Sequence, residues 1–330
     1  GEAPDDPPAL DRGLELFALH CAVCHGERGR ADGLASPFLE PRPRDFGRGA
    51  FRIVSTRRGT PHDDDLLATL RRGMPGSAMP AWDHLSERDL RDLVATVRHL
   101  MIAGRVEDLR ASGVQSEDDA LELALDLLDT GGKLQLERES IRSPERLARG
   151  RDLFEGSCAR CHGEDGRALV RNDLLDSDGR PSLARDFTRG IFKGGAGAAD
   201  IATRILVGMP GSAMPAMKLT PGEAWDVAHY VQSLIEPGSV EGTLQRRGTV
   251  VARRVKQRLD EHLHLDDWEH AAVSWVPLMP MQWRRERPEG VAVRALHDGT
   301  RLALRLTWDD PTRDDGTAPP SLVIGPGEGP

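Results

Sequence analysis

The feature that most constrains this chain is an internal repeat built around a Cys-x-x-Cys-His motif. The motif occurs as CAVCHGE at 21–27 and as CARCHGE at 158–164. Further along, the nine residues GMPGSAMPA at 73–81 recur unchanged at 208–216. Self-similarity at a long period indicates duplicated structural units. The sequence therefore predicts two homologous modules in one chain.

The repeat also sets the predicted domain organisation. With 330 residues the chain exceeds what one hydrophobic core usually organises. We predict a mainly α fold with two tandem modules and a short C-terminal β-containing segment. The predicted boundaries are 1–103 for domain 1, 104–145 for a helical linker, 146–237 for domain 2, and 238–330 for a C-terminal helix and β-hairpin, with a partial β-sandwich as one alternative for that last segment.

Composition excludes some classes of function. The net charge of −9 argues against nucleic-acid binding, which needs a concentrated basic surface. Apolar runs are interrupted by charges and fall short of the roughly 18 residues of a membrane span, so we expect no transmembrane helix. The chain begins Gly1-Glu2-Ala3-Pro4 without a basic and apolar leader, which predicts a mature exported chain in the periplasm.

The Cys-x-x-Cys-His motif is the attachment signature of c-type haem. Two thiols on one helical turn can each form a thioether with the porphyrin edge, and the following His lies under the iron. A thioredoxin-like site would need a βαβ context, and a zinc ribbon would not explain the His after both pairs. The sequence thus predicts two covalently bound haem c groups, held by Cys21, Cys24, His25, Cys158, Cys161 and His162.

The repeated Met loop predicts the sixth iron ligand. Met is a common partner of His in cytochromes c and raises the potential. Each GMPGSAMPA loop offers two methionines, Met74 or Met79 and Met209 or Met214. We favour Met79 and Met214, because the following Pro fixes the backbone. Ligation by two His is the alternative, and the remaining His residues are interpreted as surface or packing groups.

Helix signals surround these motifs. Capping residues at Ser86 and Thr220 predict a C-terminal amphipathic helix in each module. A Gly on the helix before each motif, Gly13 or Gly150, predicts a close crossing with that C-terminal helix. Between the modules, the pattern predicts a helix from Ser116 to about Asp129 with a buried Leu121, Leu125 and Leu128 stripe.

The tail carries different signals. A basic helix is predicted over about 242–262. The runs 291–297 and 301–308 flank Asp298-Gly299, which predicts a β-hairpin with its turn at that pair. The block RDF, at 44–46 and again at 185–187, lies either beside the haem propionates or at the surface.

In motif order, both modules resemble class I cytochrome c: a Gly/Phe helix, the attachment motif, the Met-Pro loop and a C-terminal helix. That resemblance implies an all-α fold around an edge-exposed haem. The segment from Trp268 through the hairpin to Asp310 resembles the start of the haem-b-binding domain related to ethylbenzene dehydrogenase, which partners molybdenum oxidoreductases. The tail lacks any Lys after Lys256, which sets it apart from that family.

These patterns together predict an electron-transfer protein, not an enzyme. It would relay electrons as a carrier or as a subunit of a respiratory oxidoreductase complex, with a redox protein as partner and a molybdenum oxidoreductase as one candidate. The alternative is an enzyme that resembles the dihaem cytochrome c peroxidases. Such an enzyme needs one haem with an open distal site.

Overall fold

The computed structural model describes residues 7–171, 173–239, 250–259, 263, 265–277, 290–308 and 321–324. The chain divides into two compact units, residues 1–240 with 281–283 and residues 241–280 with 284–330. Both predicted modules lie in the first unit, which is helical, whereas the second unit contains a β-sheet. The helix-rich class with a small sheet is as predicted.

The first module is built from α1 (Leu10–His20), α2 (Ala22–His25), α3 (Asp63–Arg72) and α4 (Glu87–Ala111), with 3-10 turns at Ser36–Phe38 and Phe46–Arg48. Helix α4 begins as predicted, because Ser86 Oγ accepts a hydrogen bond from the Asp89 N–H at 3.1 Å. Helix α1 crosses α4 at Gly13, where an added Cβ would lie only 2.8 Å from the Asp92 carbonyl carbon. The close crossing predicted from Gly13 is confirmed.

Helix α4 continues past the predicted domain boundary at residue 103 and ends at Ala111. Gly104 does not stop it, because this glycine packs against Gly47, whose Cα would lie 2.7 Å from an added Cβ. Gly104 therefore permits a close backbone approach inside the helix. The linker begins only after Ser112, where Gly113 has a φ of +111°.

Helix α5 (Glu117–Leu127) occupies the predicted linker and has the predicted Ser116 cap, but its buried face differs from the predicted one. Leu121 and Leu125 are 41% and 51% exposed. Ala120 and Ala124 are fully buried, together with Leu128. Leu128 is buried as predicted, but the predicted stripe is wrong at Leu121 and Leu125. The small side chains of Ala120 and Ala124 are buried instead, because α4 and α5 lie close together.

The second module repeats the first with α6 (Pro144–Ser157), α7 (Ala159–His162), α8 (Ala198–Val207) and α9 (Pro221–Ser233). The predicted capping box at Thr220 is present: its Oγ1 accepts from the Glu223 N–H, and the Glu223 carboxylate accepts from the Thr220 N–H. An added Cβ at Gly150 would lie 2.6 Å from the Asp226 carbonyl carbon. This crossing is confirmed as well.

The second unit is organised around a sheet with strands β1 (Ala252–Arg254), β2 (Ser274–Pro277), β3 (Gly290–His297), β4 (Leu302–Thr307) and β5 (Ser321–Ile324). Strand β3 pairs antiparallel with β4 and β2 and parallel with β1, and β4 pairs with β5. The hairpin β3–β4 is confirmed. Its turn lies one residue later than predicted, since the Asp298 N–H donates to the Arg301 carbonyl.

The predicted basic C-terminal helix over 242–262 is wrong in its described part, 250–259, which holds strand β1 and no helix. Ala252 pairs with Ala295, and Leu259 is fully buried in a small core with Trp268. Valines at this point of the segment favour extended backbone, and pairing with β3 overrides the helical pattern. The rest of that predicted helix lies outside the described residues.

Among the helices of the described ranges, none combines the length and the apolar character that crossing a membrane requires.

Candidate functional site

The two Cys-x-x-Cys-His motifs form the same local structure. In each, the first Cys ends one helix and begins a four-residue helix that ends at the His. The His25 N–H donates to the Cys21 carbonyl at 2.9 Å, and the His162 N–H donates to the Cys158 carbonyl at 3.0 Å. This single turn places both cysteines and the His at the wall of one cavity.

Each predicted proximal His is held by the repeated RDF block. His25 Nδ1 lies 3.2 Å from the Arg44 carbonyl oxygen, and His162 Nδ1 lies 3.1 Å from that of Arg185. A ring that donates from Nδ1 to a carbonyl keeps Nε2 as the metal-binding nitrogen. Burial lowers the pKa of both rings, which favours the neutral imidazole that iron requires.

Aromatic stacking fixes the plane of the same rings. Phe46 stacks on His25 with ring centroids 4.7 Å apart, and Phe187 stacks on His162 at 4.3 Å. The carbonyl and the ring that orient each His therefore come from one three-residue block. This explains in physical terms why RDF recurs with the attachment motif.

The cysteine thiols are free within the described residues and face their cavities. Burial raises the pKa of Cys21 to about 12 and that of Cys158 to about 11. Within the ranges that the structure covers, no group of three or more His, Cys, Asp and Glu side chains could hold a metal ion. Each module thus presents its two thiols as a pair at the wall of its own cavity.

The GMPGSAMPA loops fold alike in both modules. In the first, the Met74 N–H donates to the Met79 carbonyl at 3.1 Å, and Ser77 Oγ donates to the Met74 carbonyl at 2.7 Å. The second loop repeats both bonds at 3.0 Å and 2.7 Å. The loop opens with Gly73 at φ +69°, where an added Cβ would lie 2.6 Å from the Pro80 carbonyl carbon. Only glycine fits there.

The cavities bring the predicted residues together. One cavity, in the first module, is lined by Cys21, Cys24, His25, Met74 and Met79. A second, in the second module, is lined by Cys158, Cys161, His162, Met209 and Met214. Both methionines of each loop line the cavity, so the choice of Met79 and Met214 as axial ligands stays a prediction. Met101, by contrast, is buried in the core, as a packing residue should be.

These residues fit haem c. Apolar side chains such as Phe17, Leu70 and Val97 form most of the first cavity wall, and the thiol pair, the oriented imidazole and a thioether sulfur face into it. When bound, haem would supply an iron that changes oxidation state by one electron. The chain would contribute two thioether bonds, a neutral His ligand and an apolar enclosure that excludes water.

The two charged side chains of the first RDF block, Arg44 and Asp45, have different surroundings. Asp45 bonds its own turn, accepting from the Gly47 N–H at 3.0 Å, and pairs with Arg30 at 3.4 Å. The Arg44 side chain instead lines the first cavity. Arg185 likewise lines the second. Of the two interpretations left open by the sequence, the structure places these arginines at the cavities and not on a solvated surface.

Several residues that line the cavities were not predicted from the sequence. His20 lines the first cavity and packs on Trp82, with ring centroids 5.1 Å apart. Arg52 and Lys193 line both cavities. The repeat could have identified Arg52 and Lys193, because each follows a Phe at the same distance after the RDF block of its module. His229 is a packing residue as predicted, buried with its Nε2 2.9 Å from Glu139 Oε1.

Two family models match this chain, one in each module. Residues 8–95 match the family "Cytochrome C oxidase, cbb3-type, subunit III", and residues 147–234 match the family "Cytochrome c". The fold, the two attachment motifs and these matches define a c-type cytochrome with two domains, a protein of electron transfer. Covalently bound haem c follows from that class.

Parts of this chain are similar to curated oxidase subunits. The chain is 23% identical over 192 residues to the cbb3-type cytochrome c oxidase subunit CcoP of Helicobacter pylori, covering 56% of this chain and 48% of the relative. It is 53% identical over 102 residues to the subunit FixP of Azorhizobium caulinodans, covering 30% of each. The chain thus spans half or less of the length of these curated relatives.

A solved structure is similar over more of the chain. It is described as the Kuenenia stuttgartiensis reducing HAO-like protein complex Kustc0457/Kustc0458, and the match has a TM-score of 0.59 and 29% identity. It covers 72% of this chain and 100% of the matched chain. The two family matches end before the tail, so they leave the ethylbenzene dehydrogenase resemblance unconfirmed.

Proposed function

We propose that this chain is a periplasmic dihaem cytochrome c that relays electrons between redox partners, as a carrier or as a subunit of a respiratory oxidoreductase complex. The observation that carries the proposal is the pair of equivalent cavities, each with two cysteines, an oriented His and a Met loop. Arg52 and Lys193 line both cavities, so the two sites are neighbours. Neighbouring sites support electron transfer within one molecule.

The haem count tests the first part of the proposal. Intact-mass measurement of the denatured protein should show two covalently added haems, and acidified acetone should leave the colour on the chain. Replacing Cys21 and Cys24 by Ala should remove one haem, and replacing Cys158 and Cys161 should remove the other. A chain that loses its colour on extraction would refute covalent attachment.

The likeness of the two Met loops argues for relay over peroxidase chemistry. A peroxidase needs one haem with an open or displaceable distal ligand, whereas the two Met loops have the same hydrogen bonds. We therefore expect neither reduced haem to bind carbon monoxide rapidly. Rapid binding at one haem in stopped-flow absorbance would favour the enzyme.

The partner is tested by transfer kinetics. The net charge of −9 favours docking to a basic surface, so the association rate should fall as salt screens the charges. The relatives that are named oxidase subunits support a partner within a multi-protein complex. A molybdenum oxidoreductase stays one candidate. Electron transfer that is slow at every salt concentration would reject a tested partner. The periplasmic location is a separate part of the proposal, and cell fractionation checks it.

A further inference from the structure

Four basic side chains lie between the two cavities: Arg44, Arg52, Arg185 and Lys193. We call them the inter-cavity basic cluster. Arg52 and Lys193 line both cavities, Arg44 lines the first, and Arg185 lines the second. The described residues that line the two cavities include no Asp or Glu. The cluster therefore adds positive charge at the place where the two sites meet.

The repeat generates this cluster twice. Arg44 and Arg185 are equivalent positions in the two modules, and so are Arg52 and Lys193, since each follows Phe at the same place in the blocks RDFGRGAFR and RDFTRGIFK. Each module thus contributes two basic side chains to the region between the two cavities. One copy of such a residue would be unremarkable, but a basic residue kept at both positions in both modules points to a shared task.

The cluster is tied across the modules. Arg185 Nη2 donates to the Pro75 carbonyl at 3.3 Å in the Met loop of the first module. Arg44 approaches the equivalent loop of the second module, where an added Cβ on Gly211 would lie 3.1 Å from its Nη1. Arg52 pairs with Asp176 of the second module at 2.9 Å. Arg185 and Arg52 are therefore held by contacts that cross from one module to the other.

The charge of the cluster is only partly compensated. Arg52 is 9% exposed, and its Nε is buried without a hydrogen-bond partner. Burial is the main cause that lowers the pKa of Lys193 to about 7, followed by repulsion from Arg185 and Arg52, while Glu40 opposes the shift. Burial and Arg52 likewise lower the pKa of Arg44 to about 10, while Asp178 and Asp176 oppose that shift. Buried cations in this condition favour an anionic ligand.

We propose that the inter-cavity basic cluster binds carboxylates of both haems, so that the two haems share one set of countercharges. This inference rests on the proposed dihaem function and adds to it a physical link between the two sites. Arginine and lysine bind carboxylates through charge-assisted hydrogen bonds, and the orphaned Arg52 Nε supplies a donor. Removing one cluster charge should then change both haems and not one.

The test is a spectroscopic redox titration of the complete holoprotein with Lys193→Gln, at about pH 6, where the native amine is charged. Losing a positive charge stabilises ferric iron. At a fixed potential, the ferric-to-ferrous ratio of both haems should rise by on the order of tenfold, or about 59 mV, the effect of one charge over about 10 Å at an effective dielectric of about 20. Arg52→Gln should act in the same direction on both haems.

Lys218→Gln is the matched control, because it makes the same change at an exposed position of the second module and should leave the first haem unchanged. A Lys193→Gln protein that carries two haems, with a shift in one potential or in neither, would overturn the shared cluster. A wild-type protein with fewer than two covalent haems would instead refute the proposed function itself. Haem count and potential are measured on one sample, so the two failures are distinguishable.

Discussion

Gly150→Ala tests the helix crossing that closes the second module. The added Cβ would lie 2.6 Å from the Asp226 carbonyl carbon, whereas carbon atoms pack at about 3.5–4.0 Å. Helices α6 and α9 would have to separate by about 1 Å. Overpacking of this kind costs about 1–3 kcal/mol of unfolding free energy, which the better helix propensity of Ala, about 1 kcal/mol, offsets in part.

Gly156→Ala is the control on the same helix. An added Cβ there meets nothing within 4 Å, so only the propensity gain remains. The two variants should therefore differ by about 1–3 kcal/mol, at about 2–4 °C per kcal/mol for a unit of this size. Thermal unfolding of the holoprotein followed by circular dichroism measures the difference. Equal stability of the two variants would refute the close-crossing argument.

The other predictions concern the axial ligand, a buried carboxylate and the tail. Met79→Ala should abolish the Met-to-iron charge-transfer band of one haem and lower its potential, while Met74→Ala should do neither; the reverse result would exchange the two roles. Asp226→Asn should cost about 1.5–3 kcal/mol in denaturant unfolding, because a neutral amide replaces the buried carboxylate that accepts from Arg146 and Arg149. An unchanged free energy of unfolding would show that these ion pairs do not stabilise the module. Hydrogen bonds from the backbone of Leu259, Thr300 and Arg301 lower the pKa of Asp298. The ionised Asp298 therefore stabilises the second unit above the unfolded pKa of about 3.9, and this stabilisation is lost as the pH falls below that value. In acid titrations of unfolding, Asp298→Ala should weaken this dependence of stability on pH.

The features that were predictable from the sequence are those defined by a few neighbouring residues. The attachment motifs, the caps at Ser86 and Thr220 and the glycines at the helix crossings are each defined by a few neighbouring residues, and the structure bears out these caps and crossings. The hairpin was also predictable, because two alternating strands flank a turn. In these places local preference and tertiary structure agree.

Features that depend on a distant partner were not predictable. The extension of α4 through Gly104 depends on Gly47 lying opposite, and the buried face of α5 depends on how closely α4 approaches. Strand β1 forms because β3 offers it an edge. Arg52 and Lys193 occupy equivalent positions in the sequence repeat. That both side chains line both cavities is evident only from the folded structure of the two modules.

One pair of contacts between the modules is reciprocal. Arg185 reaches the loop at Gly76, and Arg44 reaches the equivalent loop at Gly211. In assemblies of identical subunits, such an exchange of equivalent contacts is the mark of an isologous two-fold interface. At this contact the two modules thus resemble the halves of a symmetric dimer that have been joined into one polypeptide. Joining them fixes the pairing at one to one, makes it independent of protein concentration, and leaves each half able to diverge on the faces that the other does not touch.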